Sequence, residues 1–402
     1  MYTFTQHSVW IGLWGALLVS PTDAATLHDA LEAAWLLQPE AQAAPARQVE
    51  LDARRRASDA LTPEPPSISL MHKTDQVQRN LGYREWEAEI SVPMWLPGDS
   101  RRTMTTVERE QNGFTLQQQA AKLKVAGEVR EAFWEAQLAE SELQVAKLKF
   151  TEAQQLAVDV ARRHKAGEQS KVDLNQAQSL VHAAQSTLLQ TEAMAQQARL
   201  RFRALTGVEV PLDTAEAAPV NHGDVAETHP LVSAAQAGVA TAQAKLAQVA
   251  GNRRDNPELS LAYSSERDEF GAPYDGKLAV RIKVPFGGDN RNEPRITAAN
   301  AELVEAEARR EQLKRQVRSG LAIAQSELTQ VSEALALAET RAVLARDTQH
   351  WMEKAFKLGE LDLPSLIRAN TDKNDAELAL ARARIERSRA LSRQNQAAGV
   401  LP

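Results

Sequence analysis

The sequence predicts a mainly α-helical protein that also carries strands suited to a membrane β-barrel. Three observations lead there. The chain repeats itself at a half-length offset, each repeat holds two very long helices, and each repeat also holds two short strands in which apolar and polar residues alternate.

The repeat is direct. Val92-Pro93 recurs as Val284-Pro285 (284 − 92 = 192), and Gly167-Glu168 recurs as Gly359-Glu360 (359 − 167 = 192). Pro66-Ser-Ile-Ser-Leu70 answers Pro257-Glu-Leu-Ser-Leu261 at an offset of 191. Solenoid arrays have periods of about 20 to 50 residues, so this is a duplicated half-molecule. The halves occupy 25–210 and 225–402, with a linker over 211–224.

In the first half, Leu27 to Leu37 and Ala41 to Leu61 read as helices, ending at the breaker Thr62-Pro-Glu-Pro-Pro66. Strands are expected at about 66–75 and 84–94, then helices over 100–165 and 171–205. The second half repeats the plan with a helix from Pro230 to Val249, strands at about 257–266 and 276–285, and helices over 291–357 and 363–397.

The long helices are marked by a seam. Val125, Val129, Ala132, Ala136, Ala139, Leu143, Ala146, Phe150, Ala153, Ala157 and Val160 step 4-3-4-3, the spacing of a coiled coil. Val317, Leu321, Ala324, Leu328, Val331, Leu335, Ala338, Ala342 and Ala345 each follow a first-half position by 192, so the heptad register was duplicated too. About 66 residues at ~1.5 Å each make a rod on the order of 100 Å long.

The strands alternate with period two. Trp86, Ala88, Ile90 and Val92 share one face, and Glu85, Glu87, Glu89 and Ser91 share the other. In the second half Leu278, Val280, Ile282 and Val284 oppose Lys277, Arg281 and Lys283, while Leu259, Leu261 and Tyr263 add a further apolar face. Such segments suit a barrel with an apolar outside and a polar lumen, and equally a half-buried soluble sheet. Four strands cannot close a barrel, since the smallest have about eight. Three copies would supply twelve and leave no free edge. On the barrel reading the lumen carries Glu85, Glu87 and Glu89 beside Lys277, Arg281 and Lys283, a mixed-charge and weakly selective wall.

Composition narrows the classes. A net charge of −6 with 25% charged residues gives no basic excess for nucleic acid. With no cysteine there are no disulfides, thiolate metal sites or cysteine nucleophile. The eight histidines are scattered without an i, i+4 pair, and no nucleophile–base pair stands out, so neither a metal site nor a cofactor is expected. His164, between Arg163 and Lys165, reads as a solvated helix-end residue, and Met71-His72 as part of a strand. Gly287-Gly288-Asp289 lacks phosphate-loop spacing and reads as a strand-to-helix turn, like Pro97-Gly98-Asp99.

The apolar run Val9 to Val19, followed by Pro21 and small residues, reads as a secretory signal over 1–24 cut after Ala24, although its n-region has only His7 in place of Lys or Arg. A buried N-terminal helix is the alternative. No other run approaches the ~20 apolar residues of a membrane helix, so a membrane would have to be crossed by strands.

The two turns Arg163-His-Lys-Ala-Gly167-Glu-Gln-Ser-Lys-Val-Asp-Leu174 and Lys354-Ala-Phe-Lys-Leu-Gly359-Glu-Leu-Asp-Leu-Pro-Ser-Leu366, each leading into a further helix, are the most specific signatures. With the element order of both halves, they resemble the TolC-like outer membrane efflux factors, most of all the heavy-metal (CzcC-like) branch. The resemblance implies a homotrimer with a twelve-stranded barrel in outer membrane lipid and an α-helical tunnel in the periplasm. It implies no catalysis. The partners would be a periplasmic adaptor (a membrane fusion protein) and an inner-membrane RND transporter, and the cargo heavy-metal cations. Drug efflux and type I protein secretion fit the same features, and a soluble periplasmic coiled-coil adaptor is the alternative of another class.

The resemblance also places a nearly closed tunnel end at the turns around Gly167 and Gly359. Where the family often carries acidic residues early in the last helix, this chain has Ser365 and Arg368, with Glu360 and Asp362 just before them and Asp173 in the other hairpin. The expectation is that Asp173 with Asp362 or Arg368 makes tip contacts that hold the channel shut. Solvated turn charges are the alternative.

Overall fold

The computed structural model describes residues 26–77, 79–211, 216–219, 225–252, 254–287 and 289–402. The expected signal segment lies outside the described residues, as does most of the expected linker. The first half runs α1 (Leu27–Leu37), α2 (Pro39–Ser58), β1 (Ser67–Thr74), β2 (Arg84–Pro93), α3 (Asp99–Lys165) and α4 (Lys171–Thr206). A one-turn helix α5 (Val225–Thr228) precedes the second half: α6 (Pro230–Gly251), β3 (Glu258–Arg267), β4 (Asp275–Lys283), α7 (Asp289–Lys357) and α8 (Leu363–Ala397).

Helix α2 starts two residues before the expected Ala41, because Pro39 sits at the first helical position, where its missing N–H costs nothing. It stops at Ser58, short of Leu61: the Ser58 hydroxyl donates to the Arg55 carbonyl at 2.8 Å, and Ser100 of α3 donates to the Ser58 carbonyl at 3.0 Å. Ser100 thereby takes an acceptor that a further turn would have used. The short α5 was not expected. It ends where His229 turns extended and its Nδ1 accepts the Leu231 N–H at 3.2 Å, capping α6.

Helices α3 and α7 have 67 and 69 residues. No proline interrupts α3, and the one in α7, Pro294, lies near its start. Rise per residue makes each about 100 Å long. Helix α3 packs on α4 to form one hairpin and α7 on α8 to form the other, while α6 lies against both α3 and α7, and α8 against α3. The heptad positions face inward. Val125, Val129, Ala136, Leu143, Ala146, Ala153 and Val160 are buried, as are Val317, Ala324 and Ala342. Alanine at this many contact positions lets the helix axes approach closely.

Partway along the rod a larger core gathers Leu27, Leu31 and Ala34 of α1, Val129, Phe133 and Trp134 of α3, and Phe202 of α4. The chain's end folds back here. Gly399, at φ +77°, closes α8, and the Val400 N–H reaches the Asn395 carbonyl at 3.0 Å. Beneath it, buried Arg130 pairs with Glu216 at 2.9 Å and donates to the Val400 carbonyl at 3.0 Å. The described piece of the linker is therefore anchored.

The four strands form one antiparallel sheet in the order β1-β2-β3-β4. The two halves meet through β2 and β3, with Ile90 opposite Leu261 and Glu89 opposite Ala262. Both outer edges, β1 and β4, have no strand beside them among the described residues. All helices attach at one end of the sheet, and the loops 75–83 and 268–274 close the other.

Candidate functional site

Two regions hold the residues singled out from sequence: the charged face of the sheet and the two hairpin tips. On the two central strands, β2 and β3, the polar face is the sheltered one, while the edge strands β1 and β4 are exposed on both faces. The side chains of Glu85, Glu87 and Glu89 are 10%, 17% and 13% exposed. Trp86 and Ile90 on the opposite face are 57% and 50% exposed, and Leu278, Val280 and Ile282 reach 70%, 68% and 64%. A sheet resting on its own core would show the reverse.

Register explains the ion pairs on the sheltered face. Glu85 faces Lys73 across the β1–β2 pairing and meets it at 3.2 Å, while the Tyr83 hydroxyl donates to the same carboxylate at 2.7 Å. Lys277 pairs with Glu266, and Lys283 with Glu258 at 3.4 Å, both within the β3–β4 hairpin. Among the described ion pairs of this face only Arg281 crosses between the halves, reaching Glu89 at 2.6 Å and Glu87 at 3.8 Å. Strand β3 separates β2 from β4, a gap of roughly 10 Å. Arginine can span it because Ser260 and Ala262, both small, occupy the intervening positions. Glu85 and Lys277, grouped on one wall from sequence, therefore each take a nearer partner. Glu89 and Arg281 are also repeat equivalents (281 − 89 = 192), so the second half reversed the sign at that place.

The hairpin turns share one backbone. The Glu168 N–H bonds the Arg163 carbonyl at 2.9 Å and the Gly167 N–H bonds the His164 carbonyl at 3.0 Å; Glu360 to Ala355 at 3.0 Å and Gly359 to Phe356 at 3.1 Å repeat the pattern. This paired helix-end motif needs a left-handed residue, supplied by Gly167 at φ +83° and Gly359 at φ +79°.

Asp173 does not pair with Arg368 or Asp362 among the described contacts. Its carboxylate accepts from the Ser170 N–H at 3.1 Å and the Ser170 hydroxyl at 2.7 Å, while Ser170 caps the Asp173 N–H. Asp362 caps α8 by accepting the Ser365 N–H at 3.3 Å, and the Ser365 hydrogen bonds hold its carboxyl below the usual carboxylate range. Glu360 lies in the exposed turn and Arg368 on the exposed side of the first turns of α8. Sequence reasoning missed what joins the tips. The Arg163 guanidinium lies 4.9 Å from the centre of the Phe356 ring and donates to the Phe356 carbonyl at 3.3 Å. Phe356, Leu363 and Leu366 of the second hairpin bury against Val160 and Ala177 of the first. The repeat alignment held the clue, since Phe356 stands where the first half has His164 (356 − 164 = 192).

No described helix is long and apolar enough to cross a membrane. Among the described residues no group of three His, Cys, Asp or Glu side chains is placed to hold a metal ion.

The chain is thus a duplicated pair of ~100 Å helical hairpins carrying a four-stranded sheet, and comparison with known proteins bears on that fold directly. Residues 37–208 match the family model of the outer membrane efflux proteins. Solved structures extend the likeness to nearly the whole chain. CusC, described for its transmembrane channel formation, superposes with a TM-score of 0.76 at 15% identity, over 93% of this chain and 92% of that one. The outer membrane protein VceC of Vibrio cholerae gives 0.73 at 15% identity, over 93% and 96%. The open-state MtrE outer membrane channel of Neisseria gonorrhoeae gives 0.73 at 15% identity, over 93% and 89%. No curated protein matches the chain. The fold is that of these channels.

Proposed function

We propose that the chain is one subunit of an outer membrane efflux duct: a homotrimer whose twelve strands close a barrel in the outer membrane and whose hairpins enclose a periplasmic tunnel. The observation that carries this reading is the inverted polarity of a sheet with two unpaired edges. In water, exposed Trp86, Ile90, Leu278, Val280 and Ile282 beside open edges would aggregate. In a bilayer the same face meets lipid, and sister chains satisfy the edge N–H and C=O groups. Helix α7 supports association with a sister chain, because Ile323, Leu337, Leu344 and Trp351 fall at multiples of seven and are all exposed. That stripe is the seam a neighbouring chain would cover.

The duct would work with a periplasmic adaptor and an inner-membrane RND transporter, and its cargo would be heavy-metal cations, following the branch its sequence most resembles. The sheltered face favours cations slightly. Glu85, Glu87, Glu89, Glu258, Glu266 and Asp275 face Lys73, Lys277, Arg281 and Lys283, which is 6 − 4 = 2 excess negative charges per chain. At the tip, Arg368 is the gate residue of this reading, since Asp173 is occupied by Ser170.

Fractionation tests the duct: heat-modifiable trimers in the outer membrane are expected, and a soluble periplasmic monomer would end the proposal. Deleting the gene should sensitise cells to zinc, cobalt, cadmium or copper; hypersensitivity to drugs alone would overturn the metal cargo while leaving the duct intact. Arg368→Glu should raise single-channel conductance in a bilayer, and unchanged conductance would remove Arg368 from the gate.

A further inference from the structure

The apolar face of the sheet, set by the register of Trp86, Ile90, Leu261 and Val280, carries two charged residues within its strands, and both are arginines. Arg84 at the start of β2 lies directly opposite Arg267 at the end of β3. The strand carboxylates, Glu85, Glu87, Glu89, Glu258, Glu266 and Asp275, all fall on the other face. Like charges placed opposite one another across a strand pair repel, with Cα atoms about 5 Å apart.

No described contact relieves this repulsion. Arg84 is half-buried and makes no side-chain hydrogen bond or ion pair among the described residues. Arg267 is positioned but not neutralised: its Nε donates to the Gly82 carbonyl at 3.1 Å, and its guanidinium lies 5.8 Å from the centre of the Phe270 ring and 5.3 Å from that of Tyr274. The loop carboxylates are engaged elsewhere or unpaired. Asp75 accepts the Leu81 N–H at 2.6 Å, Asp268 acts on Tyr83 and Lys277 of the polar face, and Glu269 forms no ion pair among the described residues. His72, the remaining titratable cation of the apolar face, stacks on Trp86 with ring centres 4.0 Å apart.

The pair stands on the last rung before the loops 75–83 and 268–274, at the end of the sheet opposite the helices. Exposed Trp86 and Tyr263 follow one and two rungs further in, and aliphatic side chains continue from there. Both arginines lie on inner strands, so a sister chain joining at β1 or β4 is separated from them by a strand. We infer that Arg84 and Arg267 form a docking site for a phosphate-bearing lipid headgroup of the outer leaflet, one site per chain. The inference rests on the duct reading, which puts this face in lipid and these loops outside the cell. Guanidinium groups match phosphate oxygens with paired N–H donors. A headgroup phosphate between them would cancel the repulsion, while its acyl chains would run down the apolar face below.

Native mass spectrometry of the full-length protein, released from detergent after addition of lipid A, tests it. Dephosphorylated lipid A keeps the acyl chains and serves as the comparison. Retention of up to one lipid A per chain is expected, preferred about tenfold over the dephosphorylated form. Arg84→Gln breaks no described contact and should remove most of that preference, whereas Arg79→Gln takes an equal charge from the exposed loop and should leave it. Equal retention of the two lipids by the wild type would overturn the site. So would an unchanged preference in Arg84→Gln, or an equal loss in Arg79→Gln, which would reduce the effect to net charge. Inorganic phosphate competing as well as lipid A would make a free anion the occupant and overturn the lipid. A soluble periplasmic monomer on fractionation would end the duct and the site together; an outer membrane trimer without lipid preference would end the site alone.

Discussion

At the tip of the first hairpin the turn glycine is Gly167 and the helix cap is Ser170, with Asp173 three residues on; 192 residues later the same places hold Gly359, Asp362 and Ser365. The backbone hydrogen bonds of the two turns agree to within 0.1 Å. The capping pair is the same hydroxyl and carboxylate with positions exchanged, Ser-x-x-Asp in one half and Asp-x-x-Ser in the other. The surrounding side chains have parted company. The first helix ends in Arg162, Arg163, His164 and Lys165, all polar and well placed against the negative end of the helix dipole. The second tip instead supplies Phe356, Leu363 and Leu366 to a small core. Duplication preserved what the turn's backbone requires and freed the side chains to become complementary, so that a basic tip now rests on an aromatic one.

Removing the aromatic side should break that complementarity most. Phe356→Ala deletes a ring that is 2% exposed and leaves Arg163 facing a void. Burial of this kind is worth about 3–5 kcal/mol. At the equivalent place, His164→Ala loses one hydrogen bond to the Gln169 carbonyl and should cost about 1 kcal/mol. Hydrogen exchange of the tip amides in both variants measures the difference, and equal effects would mean that the two tips are not complementary.

The shared part of the comparison predicts equality. A Cβ at Gly167 or at Gly359 would meet nothing within 4 Å, so an alanine there costs only its left-handed backbone, about 1 kcal/mol at either tip. Unequal losses on the same exchange measurement would show that the two turns are not one design. Gly251 provides the contrast. There a Cβ would come within 2.3 Å of the Arg102 guanidinium, so Gly251→Ala should displace Arg102 from the end of α6.

This division also explains what could be read from the sequence. The turn glycines, the heptad seams and the strand alternation were legible because each follows from a local rule: a left-handed residue, a 3.5-residue period, a two-residue period. The end of α2 at Ser58 was not, since it depends on Ser100 arriving from α3. Nor was the strand order visible, because nothing local specifies that β2 pairs with β3 rather than with another chain. At the candidate site the charged residues were easy to find and their partners were not. Charge alone sets Asp173 against Asp362 or Arg368 across the tip, whereas within the chain Ser170, three residues away, holds its carboxylate, as the local signature Ser-x-x-Asp allows. Phe356 was passed over because an aromatic in a basic turn carries no chemistry of its own until Arg163 is placed against it.

Smaller effects sharpen the exchange of capping roles. Ser170→Ala should destabilise the start of α4 by about 1 kcal/mol. The exchanged variant, Ser170→Asp with Asp173→Ser, should recover most of that loss, because it installs the arrangement that the second tip already uses. Failure of the exchanged variant to recover would mean that the two caps are tuned to their own surroundings.

The finest distinction is one of pH. The Asp362 carboxyl is held below the usual range by its hydrogen bonds to Ser365, so the folded protein keeps it ionised to lower pH than the unfolded chain, whose value is about 3.9. A depressed folded pKa means that the stabilisation is complete above the unfolded value and is lost as pH falls through the folded one. Hydrogen exchange at Ser365 and Leu366, corrected for intrinsic rates, should therefore be flat from neutrality down to about pH 4 and quicken below it. In Asp362→Asn the cap no longer titrates, and asparagine caps as well as aspartate does. The acid response at the start of α8 should vanish in that variant; an unchanged response would mean that acid acts on the tip through some other group.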